Sequence, residues 1–405
     1  MKADLSLTEY GSASPVVQLD AEAVPVLSRL VTVTAVRGGY RLRPGAKIGM
    51  VRHGDLTVRV EPKLPIGHVL FLLGYAARPV GWSTEVVGTQ EVAGFVPAVA
   101  DAFARIAEDT VRQGLLQGYR RVSAAHSVAK GKLLTSKQLR TRYGAALPVE
   151  ISYDRFGADI AENQVLKAAA EQVLRWPGLA SSSRARLSRL LRTLGEVTAD
   201  RAALWRPSRL NRHYHQALEL AGLILADAAS GLAAGRTPAF GFVAQMDVIY
   251  ENFLAAALGQ ALTGRVPGQA RAKHEGHLDV GRKLRYQLDF TWLVDGRPRL
   301  IVDAKYKFGA QAHRADIYQM VGYCSALAVP VAHLVYADGT GSSVITQHEL
   351  TGSGIRVERH ALDLSLPPQQ LLAAVDALAV HLTADLPVPL TSGVQRNVGA
   401  RPHPA

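Results

Sequence analysis

Apolar and polar residues alternate along the first part of the chain, from about residue 28 to 62. The segments LVTVTAV at 30–36 and GDLTVRVEPK at 54–63 place apolar side chains at every second position. This period of two is typical of half-buried strands, and the glycines between the segments are typical of turns. The apolar run IGHVLFLLGYAA at 66–77 follows. The pattern predicts short antiparallel strands and then a mostly buried helix.

The middle of the chain has a mainly helical pattern. Residues 90–122 and 180–234 are predicted to be helical, with a basic, strand-like stretch after the first of them. The segment at 149–174 predicts a strand, a loop and a helix. Glycines and a proline just before residue 240 loosen the chain and indicate a boundary there.

The last part of the chain alternates between the two kinds of pattern. From 245 to 345 the predicted order is helix, long loop, strand, turn, strand, helix and strand, which is typical of an α/β domain. The final residues have no periodicity and predict a mobile tail. The predicted organisation is a β-rich N-terminal region at 1–90, a mainly helical middle at 91–240, an α/β domain at 241–382 and a flexible tail at 383–405.

Composition and charge limit the kinds of molecule that the chain is expected to bind. The chain has 405 residues and a formal net charge of +12. Such an excess favours an acidic polymer as partner, DNA or RNA first and an anionic membrane surface second. The single cysteine, Cys324, excludes an intramolecular disulfide, a cysteine-based zinc site and an iron–sulfur cluster. With no signal-peptide pattern and no apolar stretch long enough for a membrane, we expect a cytoplasmic protein.

Two alternating segments flank an Asp-Gly turn in the predicted α/β domain. They are LRYQLDFTWLV at 284–294 and PRLIVDAKYKF at 298–308. Asp-Gly between such segments is a strong hairpin signal. The length of the loop at the turn sets which residues face each other across the hairpin. A two-residue loop and a four-residue loop give two registers, and a direct pairing of Asp289 with Asp303 lies midway between them. The two carboxylates are therefore predicted to be near neighbours across the strands.

The second strand of this hairpin carries charges where a buried strand normally has apolar residues. Asp303 and Lys305 are two positions apart, so both side chains are predicted to share a face with Asp289. The first strand is predicted to present an opposite, apolar face made of Leu288, Phe290 and Trp292. Two facing carboxylates need neutralisation, which an ammonium and a hard cation such as Mg²⁺ would supply. The simpler alternative is an Asp–Lys pair on a solvated sheet face.

Two predicted helices supply further candidates. Glu251 lies on the flank of MDVIYENFLAAALGQAL at 246–262, from which it would reach the site or simply face solvent. On RADIYQMVGYCSAL at 314–327, Gln319 and Tyr323 share a face and would position the lysine or a phosphate. Asp316 lies on the same face, where ordinary packing or capping explains it equally well.

These residues resemble a known nuclease pattern. Asp289 and the Asp-Ala-Lys run at 303–305, with Glu251 on a preceding helix and Gln319 on a following one, look like the PD-(D/E)xK nuclease core. More narrowly, the chain resembles the McrC family, the nuclease subunits of McrBC modification-dependent restriction systems. The similar blocks lie within residues 28–345 and are DLTVRVEPKLPIGHVLFLLGYA, GYRRVSAAHSVAKGKL, YDRFGADIAENQVLKAA, RLNRHYHQALELAGLIL, MDVIYENFL, and VDAKYK followed by ADIYQMVGYC.

The resemblance implies a restriction-endonuclease-like α/β domain with a central mixed sheet, acting as a Mg²⁺-dependent DNA endonuclease in antiviral defence. Mn²⁺ is a possible substitute. It implies Asp289, Asp303 and Glu251 as metal ligands, with Lys305 and Gln319 completing the catalytic set. One position departs from the pattern, because Leu288 stands where the motif has proline. That proline shapes the strand and is not a ligand.

The resemblance also implies a partner, a hexameric AAA+ GTPase of the McrB type that recognises 5-methylcytosine and moves DNA. The N-terminal region would dock into that ring and stimulate its GTP hydrolysis. The sequence has no G-x-x-x-x-G-K-S/T motif, so GTP is expected to act only through the partner. Two alternatives stay open: an adaptor that activates the ring with weak or lost nuclease activity, and a DNA repair nuclease on the same core.

Other polar groups in the sequence are weaker candidates for a functional site. The HEGH run at 274–277 lacks the spacing of a helical zinc-protease motif and is predicted to be a loop. His213 and His215 lie two positions apart on a predicted helix and cannot share a metal. The arginines between 184 and 212 predict either a surface for DNA phosphate or an acidic partner, or solvated helix faces.

Overall fold

The structure is a computed structural model that describes residues 3–77, 94–128, 130–141, 143, 147–228, 239–307, 314–338, 346–384 and 386. The chain forms two compact units, Met1–Ile249 and Tyr250–Ala405. This division is coarser than the four regions predicted from the sequence. Most of the predicted tail lies outside the described residues.

The elements alternate along the chain. The strands are β1 (Ala3–Thr8), β2 (Val31–Val36), β3 (Gly39–Pro44), β4 (Lys47–His53), β5 (Leu56–Glu61), β6 (Gly118–His126), β7 (Lys132–Leu133), β8 (Val149–Gly157), β9 (Ala239–Gln245), β10 (Gln269–His277), β11 (Arg285–Val294), β12 (Arg297–Lys305), β13 (Val331–Asp338), β14 (Thr346–Glu349) and β15 (Arg356–Asp363). The helices are α1 (Ala23–Leu27), α2 (Ile66–Ala77), α3 (Phe95–Arg112), α4 (Thr135–Thr141), α5 (Ala161–Leu174), α6 (Ser181–Thr193), α7 (His215–Ala228), α8 (Met246–Leu262), α9 (Arg314–Leu327) and α10 (Pro368–Thr383).

The first unit contains the strands that the alternating pattern predicts, but their partners differ from a simple meander. One sheet has the order β1-β5-β4-β9, and β1 runs parallel to β5 whereas the other pairs are antiparallel. β2 and β3 form a separate hairpin. The strand β9 comes from far along the chain, and such a long-range pairing leaves no local signal in the sequence.

Helices and a small sheet make up the rest of the first unit. α3 packs against α6, and α5 packs against α7. The helix predicted over 90–122 ends at Arg112 within the described residues, and the strand-like stretch after it is β6 in a three-stranded sheet with β8 and β7. This β structure lies in the region that the sequence predicts as mainly helical.

The second unit is built on the predicted mixed sheet. Its strand order is β10-β11-β12-β13-β15-β14, in which β12, β13 and β15 are parallel and the remaining pairs are antiparallel. β14, β15 and α10 extend the domain beyond the elements that the pattern predicts for 245–345. The HEGH run at 274–277 lies in β10, so the prediction of a loop there is wrong. Its residues pair antiparallel with β11, from His274 opposite Leu288 to His277 opposite Arg285.

One face of this sheet is covered by α9. Its buried cluster joins apolar residues from the strands and the helix, among them Ile301, Met320, Leu334 and Val357. None of the described helices is long and apolar enough to cross a membrane.

Candidate functional site

The register of the β11–β12 hairpin brings the two predicted aspartates together. Phe290 pairs with Val302, and a shift of register lies between Trp292 and Leu293, close to the turn. Asp289 and Asp303 are the next residues on the two strands beyond Phe290 and Val302, where the pairing of β11 with β12 ends. The bulge gives the paired part of the hairpin the register that lies between the two registers expected for simple loops. Sequence patterns cannot place a bulge, so the exact register required the structure.

Hydrogen bonding holds Asp289 in this position. The backbone N–H of Ala304 donates to Asp289 Oδ2 at 2.8 Å, which ties the first aspartate to the strand that carries the second. Asp303 itself is buried, with 3% of its surface exposed. The alternative of an Asp–Lys pair on a solvated sheet face is therefore wrong for Asp303.

Lys305 lies beside Asp303 on the same face of β12. Its ammonium forms an ion pair with Asp303 Oδ2. It also donates a long hydrogen bond to Gln319 Oε1 at 3.4 Å, and Gln319 Nε2 in turn donates to the Tyr323 hydroxyl at 2.7 Å. The structure thus brings the helix residues Gln319 and Tyr323 to the lysine, where the sequence places them.

Glu251 completes the acidic group from α8. It is half-buried, and its negative charge is one of the influences that raise the pKa of Asp289. The structure therefore places Glu251 within electrostatic reach of the aspartate pair. Its role as a further ligand remains a prediction.

The pKa values show that the site carries an excess of negative charge. Burial, followed by the charges of Asp303 and Glu251, raises the pKa of Asp289 to about 7. Burial also raises the pKa of Asp303, against the opposing effect of Lys305. A divalent cation between these oxygens would remove the repulsion, and carboxylate oxygens are the ligands that Mg²⁺ prefers. The residues present therefore fit a magnesium site.

Lys305 stays charged in this environment. Burial by itself would lower the pKa of its ammonium, but the charges of Asp303, Asp316 and Asp289 outweigh that effect and raise it. The group is therefore a cation and a hydrogen-bond donor at neutral pH.

A second ion pair borders the site and was missed in the sequence. Lys307 Nζ lies 3.1 and 3.0 Å from the two carboxylate oxygens of Asp316, and the Tyr336 hydroxyl donates to Asp316 Oδ2 at 3.0 Å. Ion pairing and packing thus account for Asp316, in agreement with the interpretation that it has an ordinary structural role. The signal for Lys307 was present, because it continues the period of two from Asp303 and Lys305.

The apolar side of the hairpin differs from its prediction. Leu288, Phe290 and Trp292 are buried as expected, but Leu288 belongs to the cluster under α9 and not to a separate face. Thr291 on the supposedly polar side is buried as well. Ile301, which shares the face of Asp303, belongs to the cluster under α9. Because α9 covers this face, the polar group is confined to one end of the hairpin.

The remaining polar candidates have structural partners. Arg186 and Arg189 both bind Glu108, at 2.6 and 2.7 Å, so part of the arginine series is neutralised within the fold. His213 contacts the carbonyl of Gly114, whereas His215 contacts the side chain of Asn211. Cys324 is buried in the cluster under α9.

Comparison with known proteins adds a family and a fold. A family described as "McrBC 5-methylcytosine restriction system component" matches residues 42–337. No curated protein sequence matches the chain. One solved structure with a similar fold is a refined half-complex from a tetradecameric assembly of Thermococcus gammatolerans McrB AAA+ hexamers with bound McrC. The matching chain has a TM-score of 0.57 and 14% identity, and the match covers 93% of this chain and 100% of that chain. A chain in the cryo-EM structure of the Thermococcus gammatolerans McrBC complex matches with 17% identity over 64% of this chain and 88% of that chain, and its TM-score of 0.41 is too low to support an argument.

Proposed function

Because the chain belongs to the family of McrBC 5-methylcytosine restriction system components, we propose that its second unit is the DNA endonuclease of such a system. The observation that carries the proposal is the half-buried Asp289 beside the buried Asp303, both with raised pKa values, next to the ammonium of Lys305. The order of strands and helices around this pair supports a PD-(D/E)xK nuclease fold. The net charge of +12 suits DNA as the substrate.

The carboxylates of Asp289 and Asp303 would hold Mg²⁺, or Mn²⁺ in its place, with Glu251 as a further ligand. The metal when bound supplies a Lewis acid that lowers the pKa of water and offsets charge on the phosphodiester. The hydrogen bond from Ala304 holds Asp289 against the strand that carries Asp303. Leu288 stands where the motif has proline, and this difference leaves the proposed metal-ligating carboxylates unchanged.

Lys305 would act as a donor, since its ammonium keeps its proton at neutral pH. It would orient the attacking water by a hydrogen bond to the water oxygen and offset negative charge at the phosphate. Asp303 on one side and Gln319 on the other hold the ammonium in place. Tyr323 fixes the orientation of the Gln319 amide.

Lys305→Met is expected to slow DNA cleavage by roughly 10²- to 10³-fold, because a side chain of similar size without the charge no longer stabilises the transition state. The binding of the metal should not weaken, since the variant removes a competing cation. Single-turnover cleavage and Mn²⁺ affinity measured on the same preparation separate the two effects. Cleavage at the unmodified rate, or a loss explained entirely by weaker metal binding, would contradict this role.

Cleavage is expected to rise with pH by roughly tenfold between pH 6 and 8, because the metal binds ionised carboxylates and the pKa of Asp289 is about 7. Below that pH a proton competes for the same oxygen. Higher Mg²⁺ concentration should therefore move the acidic limb of the rate profile to lower pH. A profile that does not respond to Mg²⁺ would show that another group sets it.

We further propose that the chain works with an AAA+ GTPase hexamer of the McrB type. In the similar solved structure, McrB AAA+ hexamers carry bound McrC. The predicted β-rich N-terminal region at 1–90 is the proposed docking element, and the modified cytosine would be recognised by the partner. We expect the intact chain to raise the GTPase rate of such a ring purified from the same source. An unchanged rate at concentrations where the two proteins bind each other would contradict this.

A further inference from the structure

A cluster of metal-binding side chains lies elsewhere in the second unit. His333 on β13 and Glu358 and His360 on β15 are all buried, and each offers a nitrogen or oxygen toward the other two. His381 reaches the same carboxylate from α10. The proposed nuclease chemistry uses none of these residues.

The cluster occupies the opposite face of the sheet from the aspartates. In the parallel pairing of β12 with β13, Asp303 lies beside Leu334, whereas His333 lies beside Val302. Neighbouring residues on a strand point to opposite faces, so His333 and Asp303 point away from each other. The cluster is therefore a separate site.

The donor atoms have the spacing of ligands around one ion. His333 Nδ1 and His360 Nε2 are 3.2 Å apart, and Glu358 Oε2 lies 3.5 and 3.7 Å from them. His381 Nε2 is 3.0 Å from the same oxygen. With Zn–N and Zn–O bonds of about 2.0 to 2.2 Å, the edges of a tetrahedral site measure roughly 3.3 to 3.6 Å. The three distances among His333, Glu358 and His360 lie in or close to that range.

We propose that His333, Glu358 and His360 form a Zn²⁺ site, and that His381 holds the carboxylate of Glu358 in position for the ion. Imidazole and carboxylate ligands in tetrahedral arrangement select zinc among the common cations, whereas Mg²⁺ prefers six oxygens. A water molecule would fill the fourth position of the tetrahedron. The ion would join β13 to β15, and the contact of His381 with Glu358 would connect α10 to the site.

The surroundings prepare the ligands for a cation. Arg356 binds Glu358 Oε1 at 3.0 Å, which leaves Oε2 directed at the histidines. The His381 side chain is 43% exposed and gives the ion a route from solvent.

The test uses the full chain carrying Asp289→Asn and Asp303→Asn, so that the proposed nuclease site cannot supply the signal. After removal of metals with a chelator, the protein is titrated with Co²⁺, a spectroscopic substitute for zinc, and with Zn²⁺. We expect one equivalent of Co²⁺ to bind with the strong visible absorption of a four-coordinate ion. Zn²⁺ should displace it and raise the melting temperature. No binding, or a weakly absorbing six-coordinate spectrum, would overturn the proposal.

Single variants assign the ligands. His333→Gln or His360→Gln is expected to weaken Zn²⁺ affinity by at least about 100-fold, and the more exposed His381→Gln by about 10- to 100-fold. His348→Gln is the matched control, because it lies in the same sheet beside Val357 on the opposite face and should bind normally. If a buried variant does not fold, His381→Gln decides, because it removes the side chain that holds the carboxylate of Glu358: an unchanged Zn²⁺ affinity would overturn the proposal.

Discussion

Asp303→Asn is expected to lower the rate of DNA cleavage by about 10³-fold or more. Asp303 is the most buried of the three carboxylates and pairs with both Asp289 and Lys305. An amide keeps the size of the side chain but removes the negative charge that would attract the cation and hold the ammonium. Because the metal offsets charge on the phosphodiester, losing its ligand removes most of the stabilisation of the transition state.

The control for this experiment is Asp376→Asn, an exposed aspartate on α10 that pairs only weakly with Arg265 at 3.5 Å. It should cleave at the unmodified rate. Asp303→Asn should still stimulate the GTPase partner, since the proposed docking region is at the other end of the sequence. Full cleavage by Asp303→Asn would remove the nuclease assignment, whereas GTPase stimulation with no cleavage by the unmodified chain would favour the adaptor alternative.

Asp289→Asn is expected to make the metal-free protein more stable at pH 8, by roughly 1–3 kcal/mol in the free energy of unfolding. The pKa of Asp289 is raised in the folded state from 3.8 to about 7. The folded chain therefore binds a proton more tightly than the unfolded chain, and stability falls as pH rises from about 4 to 7. Asparagine cannot ionise, so it avoids this loss. Its oxygen still accepts the hydrogen bond from Ala304.

Urea unfolding at pH 5 and pH 8, with and without Mg²⁺, measures the effect. Without metal the gain from Asp289→Asn should be larger at pH 8 than at pH 5. Added Mg²⁺ should stabilise the unmodified chain, because a cation that binds only the folded state raises its stability, and should have much less effect on the variant. A variant that is less stable than the unmodified chain at pH 8 without metal would show that Asp289 is already neutralised by groups of the protein.

The parts of this fold that follow from local patterns were predicted from the sequence. The strands β2, β4 and β5, the hairpin of β11 and β12, and the helices around Glu251 and Gln319 have local signals in alternation, helical spacing or turn residues. The mixed sheet was expected from the family resemblance. The proximity of Asp289 and Asp303 was also predicted, and the hydrogen bond from Ala304 to Asp289 agrees with it. The roles of these residues remain predictions.

The rest depended on contacts between distant parts of the chain. β9 joins a sheet made of residues near the N-terminus, and Tyr336 reaches Asp316 from another strand. The cluster of His333 and His360 with Glu358 forms only because β13 and β15 are neighbours in the sheet. No spacing along the sequence reports such a pairing. The bulge near Trp292 likewise has no unique sequence signature, although it sets the register of the aspartates.

The central claim is that Asp289 and Asp303 together hold one divalent cation. Crystals of the intact chain soaked in Mn²⁺, with data collected at a wavelength where manganese scatters anomalously, test it most directly. The account predicts an anomalous peak about 2.0 to 2.3 Å from a carboxylate oxygen of each aspartate. A well-occupied peak that contacts only one of the two aspartates would contradict the claim. Full DNA cleavage by protein whose aspartate pair binds no Mn²⁺ would also contradict it.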